Sequence, residues 1–245
     1  MSKREQKNKV KGQQRIYSLT GEIIHDGEWD PKKILSTLDK GNKEIWNGKR
    51  VLDIGANTAG LSIEIARQKA EVVAIEPDPK SKNLKSVKDI VEDLIKKEEL
   101  DLNIYDAGLF DAHLFGEFDI VLCLGLIYHF RYPQYLLDYL SNIEMTHLYI
   151  STQTYPSEQL MLVNRCDTSI FAEGHYSSKV ILKGWHPTNP LFERMLLWAG
   201  FQDIELLTDK DMYFGRSVKG LTNSAYYKAK KNLTVDLESV KRNFA

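Results

Sequence analysis

The residues whose types and spacing can do chemistry are an acid-led turn, two further acids and a Tyr-His pair. Asp53 leads the run Asp53-Ile54-Gly55-Ala56-Asn57-Thr58-Ala59-Gly60, which is rich in small residues. Glu76-Pro77 closes the next apolar run, Asp106-Ala107 follows the third, and Cys123-Leu124-Gly125-Leu126-Ile127-Tyr128-His129 ends the fourth. Glycine in such a turn lets a ligand approach the backbone and permits unusual dihedrals. An acid at the tip of the following strand suits the hydroxyls of an adenosine ribose. Asp53 is placed to accept hydrogen bonds from an amino group, directly or through water. A histidine suits proton removal near neutral pH. His129 equally suits a positioning role, or a loop role bonding the backbone. Tyr128 is as much a pocket wall as a catalyst, and Asp106 has a turn-capping alternative with Asp111 as a rival candidate.

These residues need a scaffold that delivers strand ends to one edge. Strands at 51–54, 72–75, 102–105, 118–124 and 148–151 alternate with helices at 60–69, 79–97 and 133–142. The helix at 79–97 carries apolar residues at a helical period, with Leu84, Val87, Ile90, Val91, Leu94 and Ile95. Such alternation gives parallel βαβ units with right-handed crossovers, and ligands bind beyond the carboxyl ends of the strands. Asp106–Glu117 reads as a loop. The stretch 152–186 breaks the rhythm, with strand-like pieces at 160–163 and 179–182, and reads as an insertion over the ligand-binding edge. A helix at 189–199 ending on Gly200, then strands at 203–207 and 224–229, finish the core. Upstream, residues 1–15 are polar and basic and read as a tail, and 16–30 as loop with a short strand near 22–24. Asp30-Pro31 starts a helix to about residue 47. The expected organisation is a tail and helical lid over 1–47, a catalytic domain over 48–231, and a tail or short helix over 232–245.

The pattern Asp53-x-Gly55-x-Asn57-x-Ala59-Gly60, with Glu76 at the tip of the second strand, resembles class I S-adenosylmethionine-dependent methyltransferases. Asn57 and Ala59 stand where glycine is usual; Asn tolerates left-handed geometry better than most residues. A nicotinamide-cofactor oxidoreductase also uses a glycine turn and a strand-two acid, but the turn lacks the Gly-x-Gly-x-x-Gly spacing. The Leu126-Ile127-Tyr128-His129 to Pro133 element resembles the branch related to the tRNA wobble-uridine carboxymethyltransferase and to small natural-product and sugar methyltransferases. Trp185-His186-Pro187-Thr188 and Met195-Leu196-Leu197-Trp198 resemble a late segment of that group.

The resemblance implies a Rossmann-like α/β fold, a seven-stranded mostly parallel sheet with its last strand antiparallel. It implies S-adenosylmethionine as cofactor. Asp53, Gly55 and Asn57 would hold its methionine end, Glu76 and Pro77 its ribose, and Asp106 and Ala107 its adenine. Cys123 and Gly125 would line the methionine part, with Tyr128 and His129 near the methyl group. His175, Tyr176, Trp185, His186 and Arg216 are candidate acceptor contacts, since aromatic side chains in an insertion stack on sugars or bases. They equally suit a small core of the insertion.

Composition narrows the partners. The 245 residues carry a net charge of −1, with 42% hydrophobic and 27% charged residues, as in ordinary globular chains. That charge nominates neither nucleic acid nor an anionic membrane. No apolar run approaches the ~20 residues of a membrane span. Cys123 and Cys166 cannot build a disulfide framework. His175, His186 and Glu173 lack fixed metal-ligand spacing, so no metal is expected. A cytoplasmic location is the default expectation. The acceptor expected is a small polar molecule such as a sugar, nucleotide or metabolite, methylated on oxygen or nitrogen. The alternatives are a tRNA base, favoured by the branch resemblance and the basic first residues, and a non-catalytic cofactor-binding module.

Overall fold

The structure, a computed structural model, describes residues 10–77, 85–164, 185–208 and 223–237. Four short strands open the chain: β1 (Val10–Gln14), β2 (Ile16–Tyr17), β3 (Ile23–His25) and β4 (Gly27–Trp29). They pair among themselves, β1 with β4 in parallel and β2 with β3 antiparallel. Helix α1 (Pro31–Asp39) follows, with Asp30 accepting a hydrogen bond from the Lys32 N–H at 3.1 Å and Pro31 in its first turn.

Then come β5 (Arg50–Ile54), α2 (Gly60–Ala66), β6 (Glu71–Ile75), α3 (Lys88–Lys97), β7 (Leu102–Tyr105) and β8 (Phe118–Leu124). The second half holds α4 (Pro133–Leu140), β9 (Met145–Thr154), β10 (Leu162–Asn164), β11 (Trp185–Pro187), α5 (Asn189–Trp198), β12 (Phe201–Leu206) and β13 (Asn223–Lys231). Seven strands make one sheet in the order β12-β13-β9-β8-β5-β6-β7. β5, β6 and β7 run parallel, and β13 lies antiparallel to both β12 and β9. This is the expected Rossmann-like sheet flanked by helices.

The chain forms two compact units, Met1–Leu122 and Cys123–Ala245. In the first, Val51, Leu52, Ile54, Val72, Ala74 and Ile75 are almost fully buried, as a parallel strand covered on both faces requires. Every residue of α2 is buried, and Arg67 just beyond it pairs with Glu64 at 2.8 Å and Glu98 at 2.7 Å. In the second unit, Leu136, Leu137, Leu140, Leu148, Ile150, Phe192 and Tyr227 form the core. Gly200 closes α5 with φ +89, and a Cβ there would lie 2.6 Å from the Leu233 carbonyl oxygen. No helix among the described residues is long and apolar enough to cross a membrane.

The structure departs from the sequence-based outline chiefly at the N-terminus. Residues 10–15 belong to ordered strands and turns and are not tail. Gln13 and Gln14 are buried, and hydrogen bonds from their polar groups supply what apolar burial does elsewhere. The expected helix to residue 47 stops at Asp39. Lys40 with φ +50 and Gly41 with φ +82 turn the chain out, and a 3-10 turn at Lys43–Ile45 follows. The 106–117 loop contains a 3-10 segment, Leu109–Phe115. β9 runs on to Thr154, beyond the expected strand end at 151. In the insertion, β10 pairs antiparallel with β11. The piece at 179–182, the start of the 79–97 helix and most of 232–245 lie outside the described residues.

Candidate active site

In the first unit the site is a cradle built on the turn from β5 to α2. Gly55 has φ +73, Asn57 φ +60 and Ala59 φ +59, so three of five successive residues are left-handed. Each non-glycine in that region costs about 1–2 kcal/mol, so surrounding bonds must hold the turn. The Gly55 and Ala56 N–H groups donate to the Ile75 carbonyl at 2.8 and 3.1 Å. The Asn57 N–H donates to Glu76 Oε2 at 3.0 Å, which joins the turn to the tip of β6.

Two buried carboxylates lie beneath this turn. Asp53 accepts a 2.6 Å hydrogen bond from the Ser62 hydroxyl in the first turns of α2. Burial pushes its carboxyl up to about 6, opposed by the Ser62 hydrogen bond and reinforced by the charge of Glu76. Glu76 is itself buried, while Pro77 beside it is exposed. A ligand that presents a cation to Asp53 and hydroxyl groups to Glu76 would complement both carboxylates, so these residues fit a nucleoside that carries an amino acid. At the end of β7, Asp106 is exposed and Ala107 half-buried. Asp111, the rival acid, folds back to accept the Gly108 N–H at 2.8 Å and serves as a cap.

The second unit holds the stretch after β8. Cys123 is fully buried inside that strand. Gly125 has φ +71, and its N–H donates to Ser151 Oγ at 2.9 Å on β9. The Tyr128 hydroxyl closes over it, since a Cβ on Gly125 would lie 3.5 Å from that oxygen. Tyr128 and His129 sit in a 3-10 turn, with rings 4.2 Å apart at 49°. His129 is exposed and Tyr128 half-buried. His186, buried on β11, meets the Tyr128 ring edge-on at 6.1 Å, and Trp185 beside it is half-buried. Tyr226 on β13 hydrogen-bonds Ser151, and burial raises its hydroxyl well above the ordinary range, so it stays protonated. Burial raises Tyr128 as well.

Asp53 and the turn 55–60 thus end β5, Glu76 and Asp106 follow β6 and β7 in the first unit, and the Tyr-His pair follows β8 in the second. Trp185 and His186 lie on β11; His175, Tyr176 and Arg216 lie outside the described residues. Sequence reasoning missed Gln14, Ser62, Ser151 and Tyr226. Ser62 had a legible signal, a serine in the helix immediately after an acid-bearing strand. The others come from strands remote in sequence. Among the described residues no group of three or more His, Cys, Asp and Glu side chains is arranged to hold a metal.

The methyltransferase domain pattern matches residues 28–205. Among solved structures, the N-terminal domain of EvdMO1, determined with SAH and D-fucose, is similar at TM-score 0.62 and 19% identity, covering 90% of this chain and 92% of that one. Magnesium protoporphyrin IX methyltransferase (ChlM) from Synechocystis PCC 6803 is similar at TM-score 0.53 and 15% identity, over 82% of this chain and 78% of that one. A Haemonchus contortus phosphoethanolamine N-methyltransferase is similar at TM-score 0.58 and 14% identity, over 82% and 53%. No curated protein sequence matches the chain.

Proposed function

Since the chain belongs to the methyltransferase domain family, we propose that it moves a methyl group from S-adenosylmethionine to an oxygen or nitrogen of a small polar acceptor. The observation that carries this reading is the cradle, where the left-handed turn 55–59 is tied to Glu76 above the buried Asp53. When bound, S-adenosylmethionine supplies a methyl group already activated on a sulfonium. The residues then have separate tasks. Asp53 favours the ammonium of the methionine end, Glu76 accepts from the ribose hydroxyls, and Gly55 and Asn57 shape the turn around them. Asp106 and Ala107 frame the adenine, and Pro77 stiffens the backbone after Glu76.

On the acceptor side, His129 takes the proton of the acceptor hydroxyl or amine, or orients that group. Its exposure favours exchange of the proton with solvent. Tyr128 is a wall held against Gly125, and Trp185, His186, His175, Tyr176 and Arg216 are the acceptor contacts. A small acceptor is supported by the solved relatives, one of which was crystallised with D-fucose. The net charge of −1 speaks against a tRNA substrate, which calls for a basic surface stripe. The test is calorimetry with S-adenosylhomocysteine, then turnover of radiolabelled S-adenosylmethionine against a panel of sugars, nucleotides and amines. Absence of S-adenosylhomocysteine binding overturns the reading. Binding without turnover on any panel member or cell extract would favour a non-catalytic module.

A further inference from the structure

The pattern that identifies the family starts at residue 28, yet the turn it contains is held by residues upstream of that point. Gln14 alone makes three hydrogen bonds to the turn and the start of α2. Its N–H donates to Asn57 Oδ1 at 3.0 Å, its carbonyl accepts from Thr58 Oγ1 at 2.9 Å, and its Oε1 accepts from the Leu61 N–H at 2.7 Å. Asn57 returns a bond from Nδ2 to the Gly12 carbonyl at 3.0 Å. Asn57 thereby forms with β1 the two-way pairing of a sheet neighbour, although it lies in a turn.

Two glycines are required by this approach. A Cβ on Gly60 would lie 2.3 Å from the Arg15 carbonyl oxygen, and one on Gly27 would lie 2.3 Å from the Gln14 carbonyl. Gly60 therefore makes room for the chain's own strand. Gln13 also bonds beyond β6, its Nε2 donating to Ser86 Oγ at 3.1 Å. The two departures from the family's glycines also gain a cause. Asn57 is needed for its side chain, and the clip at Gln14 holds the left-handed backbone that Ala59 would not adopt alone.

We propose that residues 12–15 are a working part of the cofactor cradle, with Gln14 as the positioning residue that fixes the turn 57–61 in its binding shape. This rests on the cofactor reading above. Gln14 touches no reacting atom; it acts through Asn57, Thr58 and the Leu61 N–H. Its effect is on cofactor affinity, because an unclipped turn must be ordered again each time the cofactor binds.

The test is calorimetry with S-adenosylhomocysteine at a temperature where circular dichroism shows each variant folded, beside the melting of the free protein. Gln14→Met keeps the bulk and removes the acceptor for Leu61, and should weaken S-adenosylhomocysteine about tenfold in the folded protein, roughly 1.4 kcal/mol. Gln14→Glu keeps an acceptor and should return affinity to within about threefold of wild type. Thr58→Val breaks the clip from the turn side and should weaken binding in the same way if Gln14→Met does not fold. Affinity unchanged in Gln14→Met and Thr58→Val, or equally poor in Gln14→Met and Gln14→Glu, overturns the proposal. Absence of binding by the wild-type chain would instead overturn the cofactor reading itself.

Discussion

Two turns after parallel strands, 55–60 after β5 and 125–132 after β8, begin alike and are finished differently. Gly55 has φ +73 and Gly125 φ +71, so the chain leaves both strands through the same left-handed bend. The first turn is then closed within its own unit by backbone groups, the Glu76 carboxylate and the side chains of Gln14, Asn57 and Thr58. The second is surrounded by hydroxyls and rings: Ser151 from β9, Tyr226 from β13, His186 from β11 and the local Tyr128. Amide, hydroxyl and carboxylate side chains fix the first bend, while hydroxyls and aromatic rings crowd the second, so different substitutions probe each.

The sharpest way to break this contrast is Glu76→Ala. It removes the acceptor at the tip of β6, and the charge-assisted bonds lost predict S-adenosylhomocysteine binding weaker by on the order of 100-fold or more. Unchanged affinity by calorimetry would place the cofactor elsewhere. His129→Ala should do the converse, leaving affinity for S-adenosylhomocysteine intact and lowering turnover roughly 100-fold or more. Full turnover in that variant would reassign the proton acceptor.

A third experiment separates stability from binding within the cradle. Asp53 binds its proton more tightly folded, at about 6, than unfolded, so the free protein loses stability as pH rises between about 4 and 6 and stays lower above. Asp53→Asn should raise the stability of the free protein at pH 8 by roughly 3 kcal/mol, with little effect at pH 4. The same variant should bind S-adenosylhomocysteine more weakly at pH 8. Wild-type affinity should climb from pH 5 to pH 7 as Asp53 ionises; a flat profile would remove Asp53 from ammonium recognition. The smallest effect is expected of Ala59→Gly. Relief of left-handed strain is offset by a lost buried methyl and a freer unfolded chain, so denaturant unfolding should shift by less than about 1 kcal/mol.

Legibility in the sequence followed the range of the interactions. The strands β5 to β8, the N-cap Asp30, the left-handed Asn57 and the C-terminal Gly200 were readable because each depends on neighbours a few residues away. The N-terminal residues read as tail because their composition lacks apolar side chains. Their order comes from Asn57, Thr58 and Leu61, more than forty residues on. Asp111 competed with Asp106 in the sequence, and the structure adds that Asp111 accepts the Gly108 N–H.

By itself, then, the sequence determined the alternating sheet, the acid-led turn with its strand-two partner, and the Tyr-His element, since periodicity and turn chemistry are local. Tertiary structure decided what holds that turn in shape, which hydroxyls surround Gly125, and why Gly60 must lack a side chain. Those answers depend on strands distant in sequence meeting at hydrogen-bond range, and no local pattern records such a meeting.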